Sequence, residues 1–134
     1  MKAKERFGLA VKESWWPTAN DAVQRSDPLL AIQEKALGPQ HPETAVTLNN
    51  LASLLLAGGK ITMAETMQRR AVRILEDNIS PGNPRMATAY ANLADILRAK
   101  GDRASAERLY RRAIEIDDDA LYREKLASLL AARP

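Results

Sequence analysis

Cysteine and histidine, two residue types that often carry catalysis, are absent or nearly absent in this chain of 134 residues. It has no cysteine, which excludes a thiolate nucleophile, a thiolate metal site and a disulfide. It has a single histidine, His41, which excludes a cluster of histidine metal ligands and most histidine acid–base schemes. We interpret His41 as a turn or cap residue. The glycines Gly58-Gly59 predict a helix stop rather than a phosphate-binding loop. The sequence therefore predicts no catalytic residue, no metal and no cofactor, and a protein that is not an enzyme.

Charged side chains offer recognition chemistry instead. Asp95 and Arg98 lie three residues apart, so on a helix they would be neighbours that select charge on a bound peptide. The alternative is an exposed helix pair that contributes little. The two arginine pairs, Arg69-Arg70 and Arg111-Arg112, fall on predicted solvated faces. Because 20 basic residues face 17 acidic ones, nucleic acid is not an expected partner.

Helices are the elements expected to position these side chains. Apolar residues make up 46% of the chain and aromatic residues only 4%, and the apolar set is dominated by alanine and leucine, which favours helix over sheet. No segment approaches the roughly 18 apolar residues of a membrane span. The N-terminus lacks the apolar stretch of a secretory signal. We expect one domain, no membrane and a cytoplasmic location.

An internal repeat is the strongest signal in the sequence. When the segment from Pro42 to Ile74 is aligned with the segment from Pro84 to Ile116, 14 of 33 positions are identical. Asn50-Leu51-Ala52, for example, recurs as Asn92-Leu93-Ala94. A fixed period of this length is typical of stacked helical repeats.

Each repeat unit predicts two antiparallel helices. Pro42 and Asn83-Pro84 mark the starts of the first helices. Thr62 with Glu65 predicts a capping box for one second helix, and Asp102 predicts the N-cap of the other. The predicted organisation is a single domain with four parts: a degenerate helix pair in 1–37, repeat one in 38–79, repeat two in 80–118 and a C-terminal capping helix in 119–134. In the first part, helices are expected over 4–16 and about 21–37, the second starting late or kinking because of Pro28.

These residues resemble the tetratricopeptide repeat (TPR) family over about residues 20–132. The segments Leu37–Glu43 and Thr47–Ala52 are similar to the 42-residue kinesin light chain subtype. The resemblance implies an all-α, right-handed α-solenoid of about seven helices. One departure is Gln68, where the family usually has an aromatic residue and Tyr110 conforms.

The resemblance also implies that the concave face binds a peptide or a partner helix. Helical phase predicts the groove side chains, which are Val46, Asn49, Asn50, Ser53, Leu56, Thr88, Ala91, Asn92, Asp95 and Arg98. Asn50 and Asn92 match the family position where an asparagine contacts the ligand backbone, and an amide can donate and accept at once. The alternative is that these asparagines tie neighbouring helices together. The basic set of a carboxylate clamp is not matched, because Asn49, Ser53, Ala91 and Asp95 stand in the equivalent places.

Two functions compete with peptide binding. The chain is either a self-associating structural element or a fragment of a longer array, since only two full units are visible. Trp15 and Trp16 either pack on the first helix pair or mediate self-association. An RNA-binding helical repeat would need base-stacking aromatics along one face, and few are present.

Overall fold

The computed structural model describes residues 30–132, and within this range all regular structure is helical. Six helices are described: α1, seen over 30–37, α2 (Pro42–Ala57), α3 (Ile61–Asn78), α4 (Pro84–Lys100), α5 (Arg103–Ile116) and α6 (Ala120–Ala131). The all-α helical repeat is confirmed. The further helix expected over 4–16, the effect of Pro28, and Trp15 and Trp16 lie outside the described residues.

The first helices of the two repeat units begin in the same way. The Nδ1 atom of His41 accepts a hydrogen bond of 3.1 Å from the Glu43 amide, and Pro42 opens α2. Asn83 does the same for α4, where its side chain accepts from the Arg85 amide at 2.9 Å. Each cap satisfies a backbone N–H that the helix itself cannot bond. The predicted cap role of His41 is confirmed.

The second helices begin differently from each other. Asp102 caps α5 as expected, since its side chain accepts from the Ser105 amide. The capping box predicted at Thr62 is wrong. Helix α3 begins at Ile61, and its N-cap, Lys60, makes no side-chain cap bond. The turn after α2 is tight enough that the helix starts before Thr62, which therefore lies too late in the first turn to cap it.

Short glycine turns join the helices of each unit into hairpins, α2 with α3 and α4 with α5. Gly59 has φ +79° and Gly101 has φ +100°, both in the left-handed region. A residue with a Cβ is strained there, which explains why a glycine stands at this place in both units.

The repeat pattern places equivalent residues in equivalent interior positions. Leu51 is 1% exposed and Leu93, its counterpart, is 4% exposed. The alanines that follow them, Ala52 and Ala94, are completely buried. The α3 helix also packs on α4, and α5 on α6, so one core runs through the described helices. A stacked arrangement of helix pairs follows.

The spacing to the last helix is shorter than the repeat. Leu126-Ala127 in α6 follows Leu93-Ala94 more closely than Leu93-Ala94 follows Leu51-Ala52. The difference arises because α5 has 14 residues where α3 has 18 and because the connection after α5 is shorter. In addition, Leu126 lies closer to the start of α6 than Leu93 does to the start of α4. Helix α6 nevertheless continues the row of first helices, with Leu129 buried against the rest.

Candidate binding surface

The first helices of successive pairs, α2, α4 and α6, lie side by side, and we call the surface that they form the first-helix surface. The Arg85 guanidinium on α4 lies 3.6 Å from the Glu43 carboxylate on α2. The Thr88 hydroxyl on α4 lies 3.2 Å from the Tyr122 hydroxyl on α6. The predicted groove residues from Val46 to Arg98 are all carried by α2 and α4.

On α2, the predicted residues differ in exposure. Val46 and Leu56 are half-buried, whereas Asn50 and Ser53 are exposed. The Ser53 hydroxyl donates a hydrogen bond of 3.1 Å to the Asn49 backbone carbonyl one turn earlier. The surface of α2 thus combines partly exposed apolar side chains with an open polar strip.

Asn49 is committed to an internal contact. Its Oδ1 atom accepts a hydrogen bond of 2.5 Å from Nε2 of Gln68 on α3. The same nitrogen donates to the Ala89 carbonyl on α4 at 3.1 Å. Gln68 is completely buried, and its Oε1 atom has no hydrogen-bond partner among the described residues. Gln68 therefore joins three helices, and the Asn49 side chain is bonded to it rather than standing free on the surface.

Asp95 and Arg98 do not pair with each other in the described chain. The Tyr110 hydroxyl donates to one carboxylate oxygen of Asp95, and Lys125 Nζ on α6 lies 2.7 Å from the other. The Arg98 guanidinium donates to the Ser128 hydroxyl on α6 at 2.9 Å. Both charges are thus already engaged, largely by α6, which reduces what they can offer a ligand.

Burial determines the ionisation of Tyr110. The side chain is completely buried, and desolvation raises the pKa of its phenol well above the usual value, with Asp95 raising it further. The hydroxyl therefore keeps its proton and can act as a permanent donor to Asp95.

The side-chain amides of Asn50 and Asn92 differ from that of Asn49 in their hydrogen bonding. They occupy the same place in successive units, and Asn92 is half-buried while Asn50 is exposed. Within residues 30–132, no group makes a hydrogen bond to either side-chain amide. The tie between neighbouring helices is made by Asn49 instead. Ala91, also expected in the groove, is 2% exposed and belongs to the core.

Sequence reasoning missed the contribution of α6. Tyr122, Lys125 and Ser128 contact Thr88, Asp95 and Arg98 in turn. A signal existed, because Leu126–Leu130 copies the motif Leu51–Leu55 and marks α6 as another first helix. The residues that α6 contacts could not be predicted from the 42-residue repeat, because α6 follows α4 at a shorter spacing than α4 follows α2.

Two other kinds of site were sought in the described range. None of its helices has both the length and the apolar character to cross a membrane. In residues 30–132, no three His, Asp or Glu side chains converge as metal ligands would.

Comparison with known proteins gives a family match. The family profile described as Tetratricopeptide repeat matches residues 19–77 and 59–119, which together span most of the chain. No curated protein matches the sequence at a significant level.

Solved structures share the fold, including the following two. One contains the nearly identical TPR-like repeats of a kinesin light chain from Podosopora anserina, with 19% identity and a TM-score of 0.77 over 96% of this chain. This chain spans 64% of the length of that structure. The other is the N-terminal domain of stress-induced protein-1 from C. elegans, with 15% identity and a TM-score of 0.57. It matches over 85% of this chain and 98% of its own.

Proposed function

Because the chain belongs to the tetratricopeptide repeat family, whose repeats generally mediate protein–protein interaction, we propose that it is an adaptor that holds a peptide or partner helix on its first-helix surface. The observation that carries this proposal is that the side-chain amides of Asn50 and Asn92 have no hydrogen-bond partner among residues 30–132. They recur at the same place on adjacent helices, which pack about 8–10 Å apart, so they can bond peptide groups about three residues apart in one extended ligand. Members of this family are typically scaffolds rather than enzymes.

The neighbouring side chains support backbone recognition. Val46 and Leu56 are half-buried on the same helix as Asn50 and offer partly exposed apolar contact. An amide can both donate to a peptide carbonyl and accept from a peptide N–H, so it can bind a ligand whatever its side chains. The proposed ligand is therefore held by its main chain, with apolar side chains adding contact area.

The charges on this surface favour an uncharged ligand. Lys125 neutralises Asp95 at 2.7 Å, and Arg98 is bound to Ser128. A charged ligand would have to displace these contacts before it gained its own. We therefore expect affinity to change little, less than about threefold, when salt rises from about 0.05 to 0.5 M, because screening acts on unpaired exposed charge.

A displayed peptide library provides the test. A peptide selected on the full chain is titrated against the wild type and against the double variant Asn50→Ala, Asn92→Ala. Loss of two neutral hydrogen bonds should raise the Kd by about tenfold or more. The matched control is Gln40→Ala, an exposed amide in the turn before α2, which should bind normally. Equal affinity of the double variant and the control, with helicity unchanged, would remove the two amides from the proposed site.

Self-association is a second candidate function. Ile32 in α1 is 65% exposed, whereas Ile74, its counterpart in repeat one, is 1% exposed. This exposed apolar residue favours contact with another copy, the role that the sequence also offers for Trp15 and Trp16. Sedimentation velocity of the wild type, Ile32→Arg and Trp16→Ala tests it. A wild type that remains monomeric at high concentration refutes self-association.

A further inference from the structure

A second recognition surface lies on the second helices, apart from the amides of the first-helix surface. A cleft of about 430 Å³ opens between α3 and α4. Val72 and Leu93 form its floor, with 7% and 4% of their surfaces exposed. Arg69, Arg73 and Glu76 form its rim. The cleft is thus aliphatic at the base and charged at the edge.

Two of the nearby arginines are held in place. The Arg69 Nε atom lies 2.8 Å from the Glu65 carboxylate, which Lys100 also contacts at 2.9 Å. Arg112 on α5 lies over the Tyr90 ring, with its guanidinium carbon 5.2 Å from the ring centroid. Such fixed guanidinium groups lose little freedom when a ligand binds.

Arg73 is different, because its guanidinium has no hydrogen-bond or ion-pair partner anywhere in the described chain. The one carboxylate on the rim, Glu76, accepts a hydrogen bond of 3.0 Å from the Tyr90 hydroxyl, beside Arg112. Arg69 is paired with Glu65 and Arg112 lies over Tyr90, so among the described residues Arg73 is the rim arginine that no carboxylate contacts.

We propose that this cleft binds an acidic peptide segment in which a carboxylate side chain pairs with Arg73 and an adjacent aliphatic side chain covers Val72 and Leu93. The guanidinium fork matches a carboxylate in geometry and in charge. A phosphate backbone is the less fitting occupant, because among residues 30–132 the aromatic ring near the cleft is Tyr90, which is 6% exposed and offers no face on which a base could stack.

Binding at this cleft is independent of the first-helix surface. The cleft residues belong to α3 and to the side of α4 that packs on α3. Asn50 and Asn92 lie instead on the first-helix surface, on α2 and α4. One molecule can then hold an uncharged segment and an acidic segment at different places.

Fluorescence anisotropy of the full chain tests the proposal with a short labelled peptide of alternating glutamate and leucine. Arg73→Glu should weaken binding by about tenfold or more, since a charge-assisted bond is replaced by repulsion. Arg123→Glu is the matched control, because this exposed arginine on α6 makes the same change in net charge far along the chain. Asn50→Ala with Asn92→Ala should also bind the acidic peptide normally.

Further probes distinguish the alternatives. A peptide of alternating glutamine and leucine should bind at least about tenfold more weakly than the glutamate peptide, since it keeps the aliphatic groups but lacks the charge. Equal losses in Arg73→Glu and Arg123→Glu would show non-specific attraction and overturn the proposal. It is also overturned if the wild type does not bind the glutamate peptide, or if a single-stranded oligonucleotide binds more tightly than that peptide.

Discussion

Gln68 Nε2 lies 2.5 Å from Asn49 Oδ1, so a completely buried side chain of α3 reaches a residue at the edge of the first-helix surface. Tyr110, which takes the place of Gln68 in the next unit, does the same for Asp95. In each unit the second helix therefore sends one long polar-tipped side chain between the first helices. An amide and a phenol fill the same place because both combine bulk with a terminal donor.

Truncating Gln68 should be strongly destabilising. Gln68→Ala removes two hydrogen bonds and leaves a void in a closed core, and we expect the free energy of unfolding to fall by about 2–4 kcal/mol. Urea denaturation followed by circular dichroism measures it. Gln40→Ala, the exposed amide, should change stability by less than about 0.5 kcal/mol. If the two variants are equally stable, the hydrogen bonds of Gln68 to α2 and α4 do not stabilise the packing of the two units.

Removing the Tyr110 hydroxyl should lower the free energy of unfolding by less than Gln68→Ala does, but it should change how that free energy depends on pH. Tyr110→Phe deletes the donor to Asp95 and should lower the free energy of unfolding by about 1–2 kcal/mol. Tyr122→Phe, which removes an exposed hydroxyl, should cost less than about 0.5 kcal/mol. Equal losses in the two variants would contradict a special role for the buried phenol.

The sign of the pH effect follows from the raised pKa of Tyr110. In the unfolded chain a phenol ionises near about pH 10, whereas in the folded chain burial keeps this one protonated at higher pH. The unfolded state then binds fewer protons, so stability falls as pH rises above about 10. Tyr110→Phe should flatten this fall between about pH 9.5 and 11.5. A profile as steep as that of the wild type would assign the loss to other groups.

The last helix should depend on one arginine of the helix before it. Arg103 donates to the backbone carbonyls of Leu129 at 2.8 Å and Ala132 at 2.9 Å, which α6 itself leaves unbonded. Arg103→Ala should speed amide hydrogen exchange in α6 by about fivefold or more, equivalent to about 1 kcal/mol. Arg108→Ala on the same helix loses a contact to Ser105 alone and should leave exchange in α6 unchanged. Similar exchange in both variants would argue against this carbonyl contact.

Glycine substitutions should separate backbone strain from side-chain space. At both Gly101 and Gly82 no atom lies within 4 Å of the place that a Cβ would take, so an added methyl group meets open space. Gly101 has φ +100°, and Gly101→Ala should lower the free energy of unfolding by about 1 kcal/mol. Gly82→Ala should be near neutral. Thermal unfolding of the two variants should therefore differ, and equal melting temperatures would contradict a strained turn at Gly101.

The repeat made much of the fold predictable. Periodicity and caps located the starts of α2 and α4 at Pro42 and Pro84 and that of α5 directly after its N-cap Asp102, because local signals decide where a helix begins. The start of α3 was missed at Thr62, since the preceding glycine turn and not a cap side chain determines it.

The candidate site was harder to predict than the fold. Helical phase correctly grouped residues such as Asn50 and Asn92 on first helices. It could not reveal that Asp95 is occupied by Tyr110 and Lys125, because these partners come from other helices. Which residues meet across units depends on the number of residues between successive first helices. That number is smaller between α4 and α6 than between α2 and α4.

The uneven burial of the helices has a consequence for how the molecule comes apart. Helix α4 buries nine side chains, whereas α6 fully buries only Leu129. Tyr122 and Leu126 are partly buried against the core, and polar side-chain bonds such as those of Arg103 and Lys125 supply the rest of its attachment. In a stack where each element contacts only its neighbours, a weakly anchored helix detaches before the well-buried ones. Helix α6 should thus be released before the hairpins part, and each such release frees Arg98 and the carboxylate oxygen of Asp95 that Lys125 contacts for a short time.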